Sequence, residues 1–168
     1  MTAPVAFVRL VPTPPRAIQC SGLSPIDFSD CYHGYTHRRG LGAMQAARAT
    51  FDRPPAWVNG LMATRNAIVG VFGLKTPSSE GATARRPKVG IFPVLSETPD
   101  EVLLGMDDKH LDFRIWISVQ ARDGGTDVSA STLVRLHGWP GRIYLFLIMP
   151  FHKLLSRYML ARALRAID

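Results

Sequence analysis

The densest collection of chemistry-bearing side chains is the run Asp107-Asp108-Lys109-His110-Leu111-Asp112-Phe113-Arg114. Read as the start of a strand, it places Asp108, His110, Asp112 and Arg114 on one face, an acid–base set of the kind that serves a site. The same pattern also describes a solvated strand face, whose charges pair weakly with neighbouring strands. A metal centre is disfavoured, because residues two apart on a strand lie about 6.6–7 Å apart, too far to share one ion unaided. Arg142, close to Gly138 and Gly141, could hold an anion at a helix start or simply pack its stem and expose its head. Trp57, Trp116, Trp139, Tyr144, Phe146 and Phe151 are either plain core or the lining of an apolar cavity. No Ser/His/Asp order, G-x-S-x-G elbow, nucleophilic-cysteine motif or glycine-rich phosphate loop occurs.

The elements that would position these residues follow from periodicity. Residues 5–11 are β-prone, and Pro12-Thr13-Pro14-Pro15 ends that strand, leaving the first 25 or so residues otherwise irregular. Residues 27–36 alternate ambiguously and are read as a strand. Residues 42–52 and 56–72 carry helical periods separated by Arg53-Pro54-Pro55, with Gly73 where a helix cap belongs. Residues 76–86 read as an exposed loop. Strands are expected over 88–97, 101–106, 110–121 and 127–137, joined by short turns into an antiparallel meander. In the third, Leu111, Phe113, Ile115, Ile117, Val119 and Ala121 share a face; His110, Arg114 and Trp116 lie opposite.

His137-Gly138-Trp139-Pro140 turns the chain into a final helix over 141–166. There Tyr144, Leu147, Phe151, Leu154, Leu155 and Tyr158 are expected on the buried face, with Arg142, His152, Lys153, Ser156 and Arg157 opposite. Pro150 predicts a kink near Leu147. Sheet first and helix last, without βαβ alternation, makes the expected fold α+β, one domain over residues 1–168: a curved antiparallel sheet of five to seven strands around a long C-terminal helix.

Composition narrows the function classes. The 168 residues include 46% hydrophobic and 20% charged, which argues against disorder. The net charge of +7 favours anionic partners, but the arginines are scattered rather than interleaved with aromatics, so nucleic acid is not expected. Cys20 and Cys31 lack zinc spacing, and no cofactor is implied. Arg9 and four early prolines do not read as a signal peptide, so a cytoplasmic protein with reduced thiols is the expectation. The apolar run 143–149 is interrupted by Pro150, His152, Lys153 and Arg157 before it reaches the ~18–20 residues a membrane span requires.

Several separated motifs resemble one family. Leu104-Gly105-Met106-Asp107 through Arg114, Gly141-Arg142-Ile143-Tyr144, Pro150-Phe151-His152-Lys153, and upstream Pro55-Ala56-Trp57-Val58 with Arg65-Asn66 occur in its order. From about Asp30 onward the chain resembles an uncharacterised bacterial family of domains of unknown function (DUF2867). Gly138 stands where relatives are expected to carry asparagine. The resemblance implies a helix-grip fold like that of START lipid-transfer domains, pollen allergens and polyketide cyclases, and carries no catalytic residues.

The resulting expectation is non-catalytic binding of a hydrophobic or amphipathic small molecule between sheet and C-terminal helix. The candidate contacts are Trp57, Arg65, Asp108, His110, Arg114, Trp116, Tyr144 and Phe151. The alternatives are a cyclase- or hydrolase-like enzyme using the same cavity, which needs a titratable group such as His110, Asp108 or His152 facing inward, and a peripheral lipid-exchange protein. Weak anionic-lipid contact and self-association are the expected further partners.

Overall fold

The computed structural model describes residues 7–60, 86–108 and 110–168. Its centre is a seven-stranded, wholly antiparallel sheet in the order β1-β2-β7-β6-β5-β4-β3. The strands are β1 (Arg9–Val11), β2 (Phe28–Thr36), β3 (Lys88–Val89), β4 (Phe92–Glu97), β5 (Glu101–Asp107), β6 (Leu111–Arg122) and β7 (Gly125–Leu136). The helices bounded within the described residues are α1 (Pro15–Ser21), α2 (Ala43–Phe51) and α3 (Gly138–Ile167). The class is α+β, a curved open sheet with one long terminal helix, as the alternation in the second half of the chain implies.

The pleat divides β6 as its alternation predicts. Ile115, Ile117 and Val119 share the inner face with Val102, Leu104 and Val128, and bury against Ala43, Ala46 and Ala47 of α2 and Leu160 and Leu164 of α3. Small residues on α2 let its backbone approach the sheet closely. The outer face is covered as well. Trp116, Leu103 and Leu133 pack there under Ala17 of α1 and Leu23.

Helix α1 falls within the stretch expected to be irregular. Pro15 begins the helix instead of preventing it, since proline's fixed φ suits a first helical position and its missing N–H is not needed there. Gly22, at φ 65°, closes it in the left-handed conformation. The run expected as one strand over 88–97 is a hairpin instead, because Gly90 turns the chain at φ 58°. Residues 56–60 are helical; the rest of the helix expected to 72, the cap at Gly73 and nearly all of the loop over 76–86 lie outside the described residues.

The largest difference concerns the rotation of α3. Its fully buried side chains are Met159, Leu160, Ala163 and Leu164, in its last three turns. Counting back from them in steps of three and four gives Ser156, His152, Ile148, Leu145 and Gly141 as the inward stripe. Leu147, Phe151, Leu154 and Tyr158, expected inside, are therefore exposed. Two glycines fix this seat. A Cβ at Gly34 would strike Leu164 Cδ1, and one at Gly141 would strike the His110 carbonyl oxygen. Pro150 lies inside one uninterrupted helical element.

Candidate functional site

Asp30 lies on the inner face of β2, opposite Thr132 of β7 and flanked at two-residue spacing by Phe28 and Tyr32. Its side chain is only 7% exposed, an uncommon placement for a carboxylate unless it is paired. The partner is His152, carried inward by the rotation of α3. Its Nε2 lies 3.0 Å from Asp30 Oδ2. The imidazole meets the edge of the Phe28 ring at 87°, centroids 5.8 Å apart. The second carboxylate oxygen, Oδ1, is buried with no hydrogen-bond partner. Among the described residues Trp116 Nε1, Asp127 Oδ1 and Ser131 Oγ are also buried without a partner, and of these atoms Asp30 Oδ1 is the one on the inner face, beside a histidine bonded to the same carboxylate.

The electrostatics extend to Tyr32, next along the same face. Burial pushes its phenol above the ordinary range, and the charge of Asp30 adds to the rise while Arg157 opposes it. The phenol therefore stays protonated and can donate.

Ser156, one turn beyond His152, completes a Ser–His–Asp set by residue type, but not by geometry. Its Oγ is 3.5 Å from both Nδ1 and Nε2 of His152. An oxygen equidistant from both nitrogens lies on neither lone-pair axis, so the short in-line contact of an activated nucleophile is missing. What the arrangement can do is hold an oriented imidazole. With Nε2–H donating to Asp30, Nδ1 of the neutral ring is an acceptor, an assignment of tautomer by hydrogen bonding. Among the described residues no group of three or more His, Cys, Asp or Glu is arranged to hold a metal ion.

The residues singled out from sequence do not converge. The expectation that Asp108, His110, Asp112 and Arg114 share a strand face holds for Asp112 and Arg114, both on the outer face of β6, and is corrected for Asp108 and His110: β6 begins at Leu111, and these two belong to the turn before it. The Asp108 N–H closes that turn on the Leu111 carbonyl at 3.0 Å, and the His110 carbonyl accepts from the His137 N–H at 2.8 Å. Arg114 is on the outer face, its Nη1 2.6 Å from Asp107 Oδ1. Trp116 is buried on that same outer face under α1, away from α3. Tyr144 is half-buried and Phe151 exposed, while Trp57 stacks edge-on to Tyr158 at 5.2 Å on the far side of α3. Arg65 lies outside the described residues.

A second polar group, on the outer face, joins Asp127 to Arg122 (2.8 Å) and sets His33 3.1 Å from Ser129. An open cleft of about 560 Å3 lies between the start of α2 and the β4–β5 turn, lined by Gly40, Gly42, Gln45, Glu97 and Pro99 among others. It contains none of the Asp30–His152 group.

A lone acid in an ambiguous strand carries no motif, so Asp30 does not stand out in the sequence. Its signal is the two-residue alternation Phe28, Asp30, Tyr32, Gly34, Thr36, which sets it among inward-facing positions. For His152 and Ser156 the signal is the small-and-aliphatic stripe ending at Leu164, which the aromatic residues of α3 masked.

A family model described as a protein of unknown function (DUF2867) matches residues 23–159, a span that includes Asp30, His152 and Ser156. No curated protein and no solved structure matches the chain.

Proposed function

The chain belongs to the DUF2867 family, and from that premise we propose that it binds an amphipathic small molecule between the inner face of the sheet and the N-terminal half of α3. The ligand's polar head donates a hydrogen bond to Asp30 Oδ1, and its apolar body lies against Phe28 and the half-buried Tyr144, Leu145 and Ile148. The observation that carries this reading is the partnerless, buried Oδ1. An acceptor of this kind costs roughly 1–3 kcal/mol when left unmade, and a donor arriving with a ligand recovers that cost. Sites for small molecules are mainly apolar with a few fixed polar groups, which is the composition here. The helix-grip likeness of the sequence motifs points to the same location.

The head is therefore a hydroxyl or an amine rather than a carboxylate, which would face Asp30 with like charge. Calorimetric titration with dodecanol, dodecylamine and dodecanoate tests this at constant chain length. The alcohol and amine are expected to bind at least about tenfold more tightly than the acid, a difference near 1.4 kcal/mol. In Asp30→Asn the preference should collapse. Equal affinities that the substitution leaves unchanged would rule the reading out.

One observation favours a second, enzymatic reading. His152 is oriented by Asp30 through Nε2, which leaves Nδ1 as the ring's acceptor, the arrangement of a general base. On this reading His152 takes a proton from a bound hydroxyl or water. The cost of His152→Gln would then fall on turnover while leaving alcohol affinity nearly intact.

A further inference from the structure

The outer surface of α3 is the least expected part of the molecule. Trp139, Ile143, Phe146, Leu147, Phe151, Leu154 and Tyr158 are all exposed, Phe146 by 80% and Trp139 by 71%. They recur at three- or four-residue steps, with Phe146 and Leu147 side by side in one turn, so they form a single stripe about 28 Å long on the face turned away from the sheet. Scattered exposed apolar side chains need no explanation, but a continuous stripe of this length does. Trp57 extends it through its contact with Tyr158.

The flanks of the stripe are cationic. Arg142, Lys153 and Arg157 are exposed beside it, and the thirty residues of α3 include no aspartate or glutamate. The inner side of the same helix is committed to the core through Met159, Leu160, Ala163 and Leu164. Among the described residues no helix is long and apolar enough to cross a membrane.

We propose that the outer face of α3 docks the protein on the surface of an anionic lipid bilayer. The helix lies in the interfacial plane, its aromatic and aliphatic stripe sinking to the headgroup boundary and its basic residues reaching up to lipid phosphates. Charge complementarity chooses the bilayer over a second copy of the chain. A two-fold pair built on this stripe would bring Arg142, Lys153 and Arg157 against their own counterparts, with no acid on the helix to relieve them. An anionic leaflet supplies the opposite charge, about fivefold in partitioning for each basic residue near the surface. This docking stands on α3 alone and does not depend on occupancy of the Asp30–His152 site.

The test is co-sedimentation of the full chain with phosphatidylcholine vesicles, with and without phosphatidylglycerol, at low and high salt. Binding to the phosphatidylglycerol vesicles only, with blue-shifted tryptophan emission, is the expected result. Arg142→Gln/Lys153→Gln should weaken partitioning about thirtyfold at low salt. Phe146→Gln/Leu154→Gln should weaken it at least about tenfold. Both variants should melt like the parent, since these side chains are solvent-facing. A chain that stays in the supernatant with anionic vesicles at low salt overturns the proposal. So does vesicle binding that neither pair of substitutions changes. A dimer in sedimentation velocity that Phe146→Gln/Leu154→Gln dissociates, in protein that ignores vesicles, would give the stripe to self-association and also overturn it.

Discussion

Replacing His152 with alanine removes the one hydrogen-bond partner, among the described residues, of a carboxylate whose side chain is 7% exposed and whose other oxygen has none there. Leaving a buried carboxylate without the donor it is bonded to costs about 3–5 kcal/mol, because its charge stays desolvated and uncompensated. His152 itself is 19% exposed, so water can enter part of the space the imidazole leaves. The lower end, about 3 kcal/mol, is therefore the expected loss. For a chain of this size that lowers the melting temperature by about 6–12 °C. Asp30→Asn keeps the shape and removes the charge, so it should cost only about 1–2 kcal/mol. Combined with His152→Ala it should give a protein more stable than His152→Ala alone, a coupling of about 1 kcal/mol or more in the direction opposite to simple addition. Urea denaturation of the two single variants and the double variant, with unchanged m values, measures this cycle. If His152→Ala costs less than about 1 kcal/mol and the two changes add, the pair is not the desolvated anchor that its distances and burial describe.

Three further outcomes follow from other parts of the fold. Gly34→Ala places a methyl against Leu164 Cδ1 where α3 crosses β2; a loss of about 1–3 kcal/mol is expected in thermal melts, partly relieved by Leu164→Val. Burial lowers the pKa of His33, against the opposing pull of Asp127 and with Arg9 and Arg122 adding to the drop. The unfolded chain then binds more protons in this window, so stability is full above about pH 6.5 and falls as the pH drops below it, with a flatter profile in His33→Gln. Burial also raises the Cys31 thiol above its usual value; in thiol titration near pH 8 the half-buried Cys20 should react in the native protein and Cys31 only on unfolding.

How much of this was legible in the sequence varied with the kind of signal. The alternation over Leu111–Arg122 and Gly125–Leu136 is strong, and both inner and outer faces of those strands came out as the period predicts. Pairing between strands far apart in the chain, such as β2 with β7, leaves no local trace, and it is this pairing that carries Asp30 to the inner face beside α3. The rotation of α3 is not legible from sequence, because hydrophobicity alone does not say which apolar stripe is buried when a helix has two. Leu147, Phe151, Leu154 and Tyr158 outweigh the smaller residues by hydrophobicity, whereas the core takes Gly141 and Ala163, which allow close approach, together with Leu160 and Leu164. The acidic–basic run before β6 attracted notice for its composition. In the fold, Asp108 and His110 shape a turn and Arg114 pairs with Asp107 on the outer surface, so composition there reports solvation and turn chemistry rather than a site.

The most direct test of the central claim is native mass spectrometry of the protein purified from its own host, as the parent chain and as Asp30→Asn. A small-molecule adduct on the parent, released on denaturation and depleted in Asp30→Asn, is the expected result, and the released molecule should carry a hydroxyl or amine on an apolar body. An adduct that Asp30→Asn retains in full, or a parent chain with no adduct that also fails to bind the alcohol and amine in titration, would contradict it.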